Sequence, residues 1–269
     1  MLESLKSWGS SSGLQIVLGP QRVALVLQPS GWRSAPTVVA QWQPDGTSAP
    51  AGATELTAIL DGLLTTAAVR RLPTRIVLAD SLVRTWTVEP PRNASRYQDC
   101  EAAVHMRFQQ VFDEPLADWQ LSFDAEASQP FLACALRRSV VSALAAVLAA
   151  HQLTLLALEP EFVLLWNHWQ RRLPAGAWWG LCQDTVLTLG RVQSGRLVAL
   201  RRLPLPQASS QALIHTVQHE ANRWQQPVPT RLGLCGAPPR AWLGAHAGAF
   251  HAELLGPHHQ ALALWGLAP

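Results

Sequence analysis

The chain has 269 residues, of which 48% are hydrophobic and 14% charged, where about 25% charged is ordinary for a soluble domain; it can bury a sizeable core and is not disordered over most of its length. Its 21 basic and 18 acidic residues leave a net charge of +3, and the basic residues are scattered, with arginine pairs at Arg70-Arg71, Arg137-Arg138, Arg171-Arg172 and Arg201-Arg202. There is no basic stripe and no nucleic-acid-binding motif, so nucleic acid is not an expected partner.

Residues 1–8 hold Leu2, Leu5 and Trp8 beside Glu3 and Lys6. They form a weakly amphipathic end, expected to fray rather than to meet a membrane, and lack the apolar stretch of a signal peptide. Apolar runs at 14–18, 23–28 and 37–41, divided by Gly19-Pro20 and Pro29-Ser30-Gly31, predict a meander of antiparallel strands. After a polar loop at 44–52, Leu56, Ile59, Leu60, Leu63 and Leu64 fall at helical spacing and predict a helix over 53–70. The strand at 74–79 should return parallel to the sheet. A smaller unit follows: a strand at 83–88 stopped by Glu89-Pro90-Pro91, a helix over 94–112 with Tyr97, Val104, Phe108, Val111 and Phe112 available for one face, and a strand at 119–123. Next come a strand at 131–136, an Ala-rich helix at 139–150, a strand at 153–158 and a helix at 160–169 opened by proline. The stretch 140–158, broken by His151, Gln152 and Thr154, is too polar to span a membrane. With no signal peptide and no membrane span, a soluble cytoplasmic protein is expected.

Leu173-Pro174-Ala175-Gly176 marks a lobe boundary, and beyond it the opening pattern recurs. Strands at 178–182, 186–190 and 197–203 precede a helix over 209–225, a strand at 231–234, a helix at 239–247, a strand at 250–254 and a closing helix at 257–267. The order strand-strand-strand-helix-strand-helix thus occurs twice, with a small α/β insert at about 80–125 in the first half. An α/β chain of two lobes is expected, 1–172 and 173–269, facing each other across a cleft in an actin-like (ribonuclease H-like) architecture.

The first hairpin has the frame of a phosphate-binding loop without its chemistry. Such a hairpin needs a carboxylate before the glycine to manage Mg²⁺ and small polar donors after it. Val17 stands where the carboxylate belongs, before Gly19, and Pro20 has no backbone N–H to give. Other constellations read as structural. His215 and His219 lie one helical turn apart beside Glu220, but the order is not that of a zinc protease and no third ligand is evident, so an exposed helix face is expected there and no metal site. Asp80, Asp99, Asp113, Glu114 and Asp118 cluster in sequence; an acid–base pair among them stands as an alternative to the expected capping and solvation. Cys100, Cys134, Cys182 and Cys235 contain no C-x-x-C pair and read as buried free thiols of a reducing compartment. Among the 12 tryptophans, Trp178 and Trp179 are adjacent on a strand, so one should face the core and the other a helix or a partner. No Gly-x-Ser-x-Gly elbow is present.

Several segments resemble the PilM, MshI and GspL family of actin-like proteins of type IV pilus and type II secretion machinery. They are the hairpin at 14–26, the strands at 76–79 and 85–90, the helix and strand at 102–112 and 118–123, the strand-helix-strand at 132–158, the second hairpin at 180–202 and the Gly loop at 232–238. The resemblance implies a cytoplasmic scaffold, peripheral to the inner membrane, that holds the cytoplasmic tail of a PilN-like bitopic protein in a groove beside the insert, within 74–123, and couples it to an assembly ATPase. It does not carry over a nucleotide site. Val17 replaces the hairpin carboxylate and Ala24 the usual lysine, the second hairpin has Leu181-Cys182-Gln183-Asp184-Thr185 in place of Asp-x-Gly, and Cys235-Gly236-Ala237-Pro238 keeps a single glycine. Val17, Gly19, Ala24, Asp184 and Gly236 are therefore degenerate loop positions, and neither catalysis nor a cofactor is expected. The alternative is an actin-like ATPase or kinase with rewritten loops, using Asp184 or Asp80 to hold magnesium.

Overall fold

The computed structural model describes residues 12–29, 36–44, 52–94, 96–124, 128–174, 176–183, 186–204, 208–243 and 250–255. Residues 1–8, Asp184, the closing helix at 257–267 and residues 244–247 of the helix at 239–247 lie outside them.

Leu14, Ile16 and Leu18 alternate with Gln15 and Val17, so β1 (Gly13–Gly19) has one fully apolar face. Pro20 and Gln21 turn the chain into β2 (Arg22–Gln28), which pairs antiparallel with β1 and then with β3 (Thr37–Trp42). Leu56, Leu60 and Leu64 of α1 (Ala53–Ala67) are spaced one turn apart and are buried, which lays this helix on the apolar face. The chain then returns as β4 (Pro73–Leu78), parallel to β1 as expected.

A separate sheet follows. β5 (Val83–Val88) and β6 (Trp119–Phe123) flank β7 (Phe131–Arg137), and α2 (Tyr97–Phe112) packs Val104 and Phe108 against Trp86 and Trp119. This sheet spans 83–137, because β7 pairs with both β5 and β6. β7 runs straight into α3 (Arg138–Ala150), whose Val140, Leu144 and Leu148 join α1 on the first sheet. β8 (Thr154–Pro160) then completes the order β3-β2-β1-β4-β8, with β8 at the edge.

Proline at position 160 fixes the backbone entering α4 (Glu161–Trp169). Past Gly176 the same topology is built again. β9 (Trp178–Gln183), β10 (Val186–Gln193) and β11 (Arg196–Pro204) are antiparallel; α5 (Ser210–Arg223) is capped by the Ser209 hydroxyl, which accepts from the Ala212 N–H; β12 (Arg231–Gly236) and β13 (His251–Leu254) return parallel. The order β11-β10-β9-β12-β13 repeats that of the first sheet. Residues 240–242 make only a 3-10 turn.

The adjacent tryptophans divide as the strand period requires. Trp178 enters the core beneath α5, and Trp179 meets Phe162 and Trp166 of α4 on the opposite face. α4 thus covers the second sheet while Leu164 reaches back to Val77 of the first. None of the described helices is long and apolar enough to cross a membrane.

Candidate functional site

The parallel strands of both sheets end at a common cleft, where crevices in α/β folds collect ligands. Its volume is about 340 Å³, with Val17, Gly19, Pro20 and Arg22 on one side and Cys182, Gln183, Thr188, Arg202 and Gly236 on the other. Two glycines belong to its geometry. A Cβ on Gly19 would lie 2.7 Å from the Ala79 Cβ, so the hairpin end can sit against the end of β4 only without a side chain. Gly236 has φ +80°, and a Cβ there would strike the Cys182 carbonyl oxygen.

The floor of the cleft is acidic. Leu78 and Pro160 are register partners on parallel strands, so Asp80, two residues past β4, and Glu161, one residue past β8, emerge side by side. Asp80 is buried and every polar atom of it is engaged. Its N–H donates to Gln183 Oε1 (3.3 Å) and its carbonyl accepts from Arg202 Nη1 (3.3 Å). Oδ1 accepts from the Phe162 N–H (3.2 Å) and Oδ2 from the Thr188 hydroxyl (3.1 Å). Gln183 Nε2 in turn donates to Glu161 Oε2.

Burial pushes the Asp80 carboxyl up to about 6, against the pull of the Phe162 and Thr188 hydrogen bonds and of Arg202. Burial also pushes Glu161 up, to about 8, with the Asp80 charge adding to it and Arg22 and Gln183 opposing. Arg22, half-buried beside Glu161, is lowered by burial and donates to Gln41 Oε1.

Val17 lines this cleft and packs with Val77 and Leu164; Ala24, its register partner, is buried. Gly19 and Gly236 are at the rim; Asp184 lies outside the described residues. The acidic cluster around Asp80 does not converge. Asp99 accepts from the Arg96 N–H at the start of α2, and Glu114 bridges Arg84 (3.1 Å) and Arg137 (2.9 Å). The partner of Asp80 is instead Glu161, which lies far from it in sequence. His215 and His219 are exposed on α5, and among the described residues no group of three or more His, Cys, Asp or Glu could hold a metal.

A second concavity of about 770 Å³ lies beside the insert. β6 and β8 are edge strands of their sheets, and this groove runs between them, floored by 132–134 of β7 and closed by Val163. Tyr97 is 58% exposed and stacks on Phe123 (5.1 Å between ring centres), and Leu156 is 53% exposed on the opposite wall. These walls reach beyond 74–123, because β7 and β8 complete them.

No family model matches the chain, and no curated protein does. Solved structures do. A Bacteroides thetaiotaomicron protein with an actin-like ATPase fold and unknown function aligns over 95% of each chain at 9% identity and a TM-score of 0.67. The cytoplasmic domain of EpsL, an inner-membrane component of the type II secretion system of Vibrio cholerae, aligns over 96% of this chain and 95% of its own at 16% identity and a TM-score of 0.57. The PilM–PilN type IV pilus biogenesis complex aligns over 92% of this chain and 88% of its own at 17% identity and a TM-score of 0.60. The fold is therefore actin-like, as the order of elements suggests.

Proposed function

We propose that the chain is a non-catalytic scaffold of a type IV pilus or type II secretion assembly, holding an extended cytoplasmic segment of a PilN-like bitopic inner-membrane protein. The observation that carries this reading is the groove between β8 and the insert. An edge strand offers unpaired backbone N–H and C=O groups, and an extended peptide can complete them while its alternate side chains enter apolar pockets. Five consecutive residues of β8, Leu156 to Pro160, line the groove, enough to pair with about 16 Å of extended chain. Tyr97, Phe123 and Leu156 supply the apolar walls. The likeness to the PilM–PilN complex and to the EpsL domain supports this assignment of partner and system. The protein would then sit at the cytoplasmic face of the inner membrane through its partner, with an assembly ATPase as a further contact.

The cleft favours the same reading over ATP hydrolysis. A triphosphate needs a metal ion and backbone donors. Here the hairpin has Pro20 in place of a donor and Val17 in place of a carboxylate, and each carboxylate oxygen of Asp80 already accepts a hydrogen bond, from the Phe162 N–H and the Thr188 hydroxyl. The test is a thermal-shift titration with a synthetic peptide of the cytoplasmic tail of the bitopic membrane protein encoded beside this chain. At 100 times its dissociation constant the peptide should stabilise the wild type by about 2.7 kcal/mol, and Leu156→Asp should abolish the shift. A Mg²⁺-dependent shift with ATP and none with peptide would replace this reading by the ATPase one.

A further inference from the structure

We propose that Asp80 is the hub of a self-closing latch that holds the two lobes together across the cleft without a bridging ligand. Two-lobed proteins with a central cleft commonly close around a ligand that touches both sides. In this chain the cross-cleft contacts are made by the protein itself. Asp80 follows β4 of the first sheet; apart from the local bond of the Val83 N–H to its carbonyl, its hydrogen-bond partners lie on the second sheet or on the helix that covers it. Gln183, Thr188 and Arg202 belong to β9, β10 and β11, three neighbouring strands of the second sheet, and Phe162 belongs to the helix packed on that sheet.

Strand register explains how three strands reach one residue. Thr188 is the register partner of both Leu181 and Arg202, and Gln183 is two residues beyond Leu181, so Gln183, Thr188 and Arg202 share one face. Gln183 uses both ends of its amide, accepting from Asp80 and donating to Glu161, so its side chain is held at each end. The contacts form one network around a single buried residue: Phe162 and Thr188 satisfy its carboxylate, and Gln183 and Arg202 its backbone N–H and carbonyl, so removing one contact leaves a polar group of Asp80 unsatisfied out of water, which makes the closure cooperative. A latch of this kind leaves a nucleotide nothing further to close. It accounts for an actin-like cleft that retains its shape, including the glycines at 19 and 236, while its phosphate chemistry is gone.

The experiment is hydrogen exchange by mass spectrometry on the full chain without ligand, following peptides that cover 79–82 and 160–165. At nearly constant volume, Thr188→Val removes one latch contact and Gln183→Leu removes two, those to Asp80 and to Glu161, and Gln41→Leu removes a contact to Arg22 that does not reach Asp80. The latch predicts about tenfold faster exchange at both segments in Thr188→Val and in Gln183→Leu, wild-type exchange in Gln41→Leu, and no slowing of wild-type exchange by MgATP. Exchange unchanged in both latch variants would overturn the proposal, as would a wild type whose exchange at these segments slows tenfold when MgATP is added. Far-UV dichroism identifies a variant that has lost its fold, in which case the other latch variant is read.

Discussion

Replacing Glu161 by glutamine should raise stability at alkaline pH and flatten its dependence on pH. The carboxyl is pushed up to about 8 in the folded chain from an ordinary 4.5. Between those values the folded state holds a proton that the unfolded state has released, so stability is largest at low pH and is lost as pH rises through 8. At 1.36 kcal/mol per pH unit the interval corresponds to at most about 5 kcal/mol. Glu161 lines a water-accessible cleft and its side chain keeps some exposure, so solvent screening reduces this to about 1–3 kcal/mol. Asp80, raised to about 6 from 3.8, contributes with the same sign at lower pH. The assay is urea unfolding at pH 5.5, 7.0 and 8.5. The nine histidines and the other titrating groups are common to both proteins, so the difference between wild type and Glu161→Gln isolates this one carboxyl. The variant should be the more stable at pH 8.5 by about 1–3 kcal/mol, with the gap closing toward pH 5.5. A gap that stays constant across the range, or a variant less stable at pH 8.5, would refute the account of a carboxyl held protonated by its burial.

Gly236→Ala should cost about 2 kcal/mol or more in chemical denaturation, because the backbone there has φ +80° and a methyl group would meet the Cys182 carbonyl. Gly62→Ala, on the exposed face of α1 with open space around it, should instead stabilise by about 0.5–1 kcal/mol. Burial pushes the Cys134 thiol up to about 11 and the Cys235 thiol up to about 12, and raises Cys182 further. These thiols should therefore resist iodoacetamide at neutral pH until the chain is unfolded, as read by intact mass; rapid labelling of the native protein would show that they are exposed as thiolates.

The parts of this molecule that were legible in the sequence are those whose signal is local and periodic. Leu56, Leu60 and Leu64 recur at one helical turn and define α1, and Glu89-Pro90-Pro91 stops β5 at Val88 because proline cannot continue a ladder. The repeated order of elements carries the two-lobed topology, since each repeat must bury one sheet face under its own helix. The pairing of β7 was not legible in this way: a strand at 131–136 gives no indication of its neighbours, and here it joins the insert, extending that sheet to 137.

The site follows the same rule in reverse. Asp80 is a single residue past a strand end, and Gln183 and Thr188, which grip it, are 103 and 108 positions away, so no spacing pattern links them. One local signal was nonetheless available. In the otherwise apolar stretch 153–165, Glu159-Pro160-Glu161 places two carboxylates around a proline where β8 gives way to α4. Carboxylates are rarely placed in so apolar a run without partners. Both have them: Glu159 turns toward the groove and Arg75 (3.9 Å), and Glu161 toward the cleft and Gln183. Opposite directions for residues two apart are not what a continuing strand would give. The proline ends the strand between them, and that one change of backbone places the last turn of β8 at the groove and the first turn of α4 at the cleft.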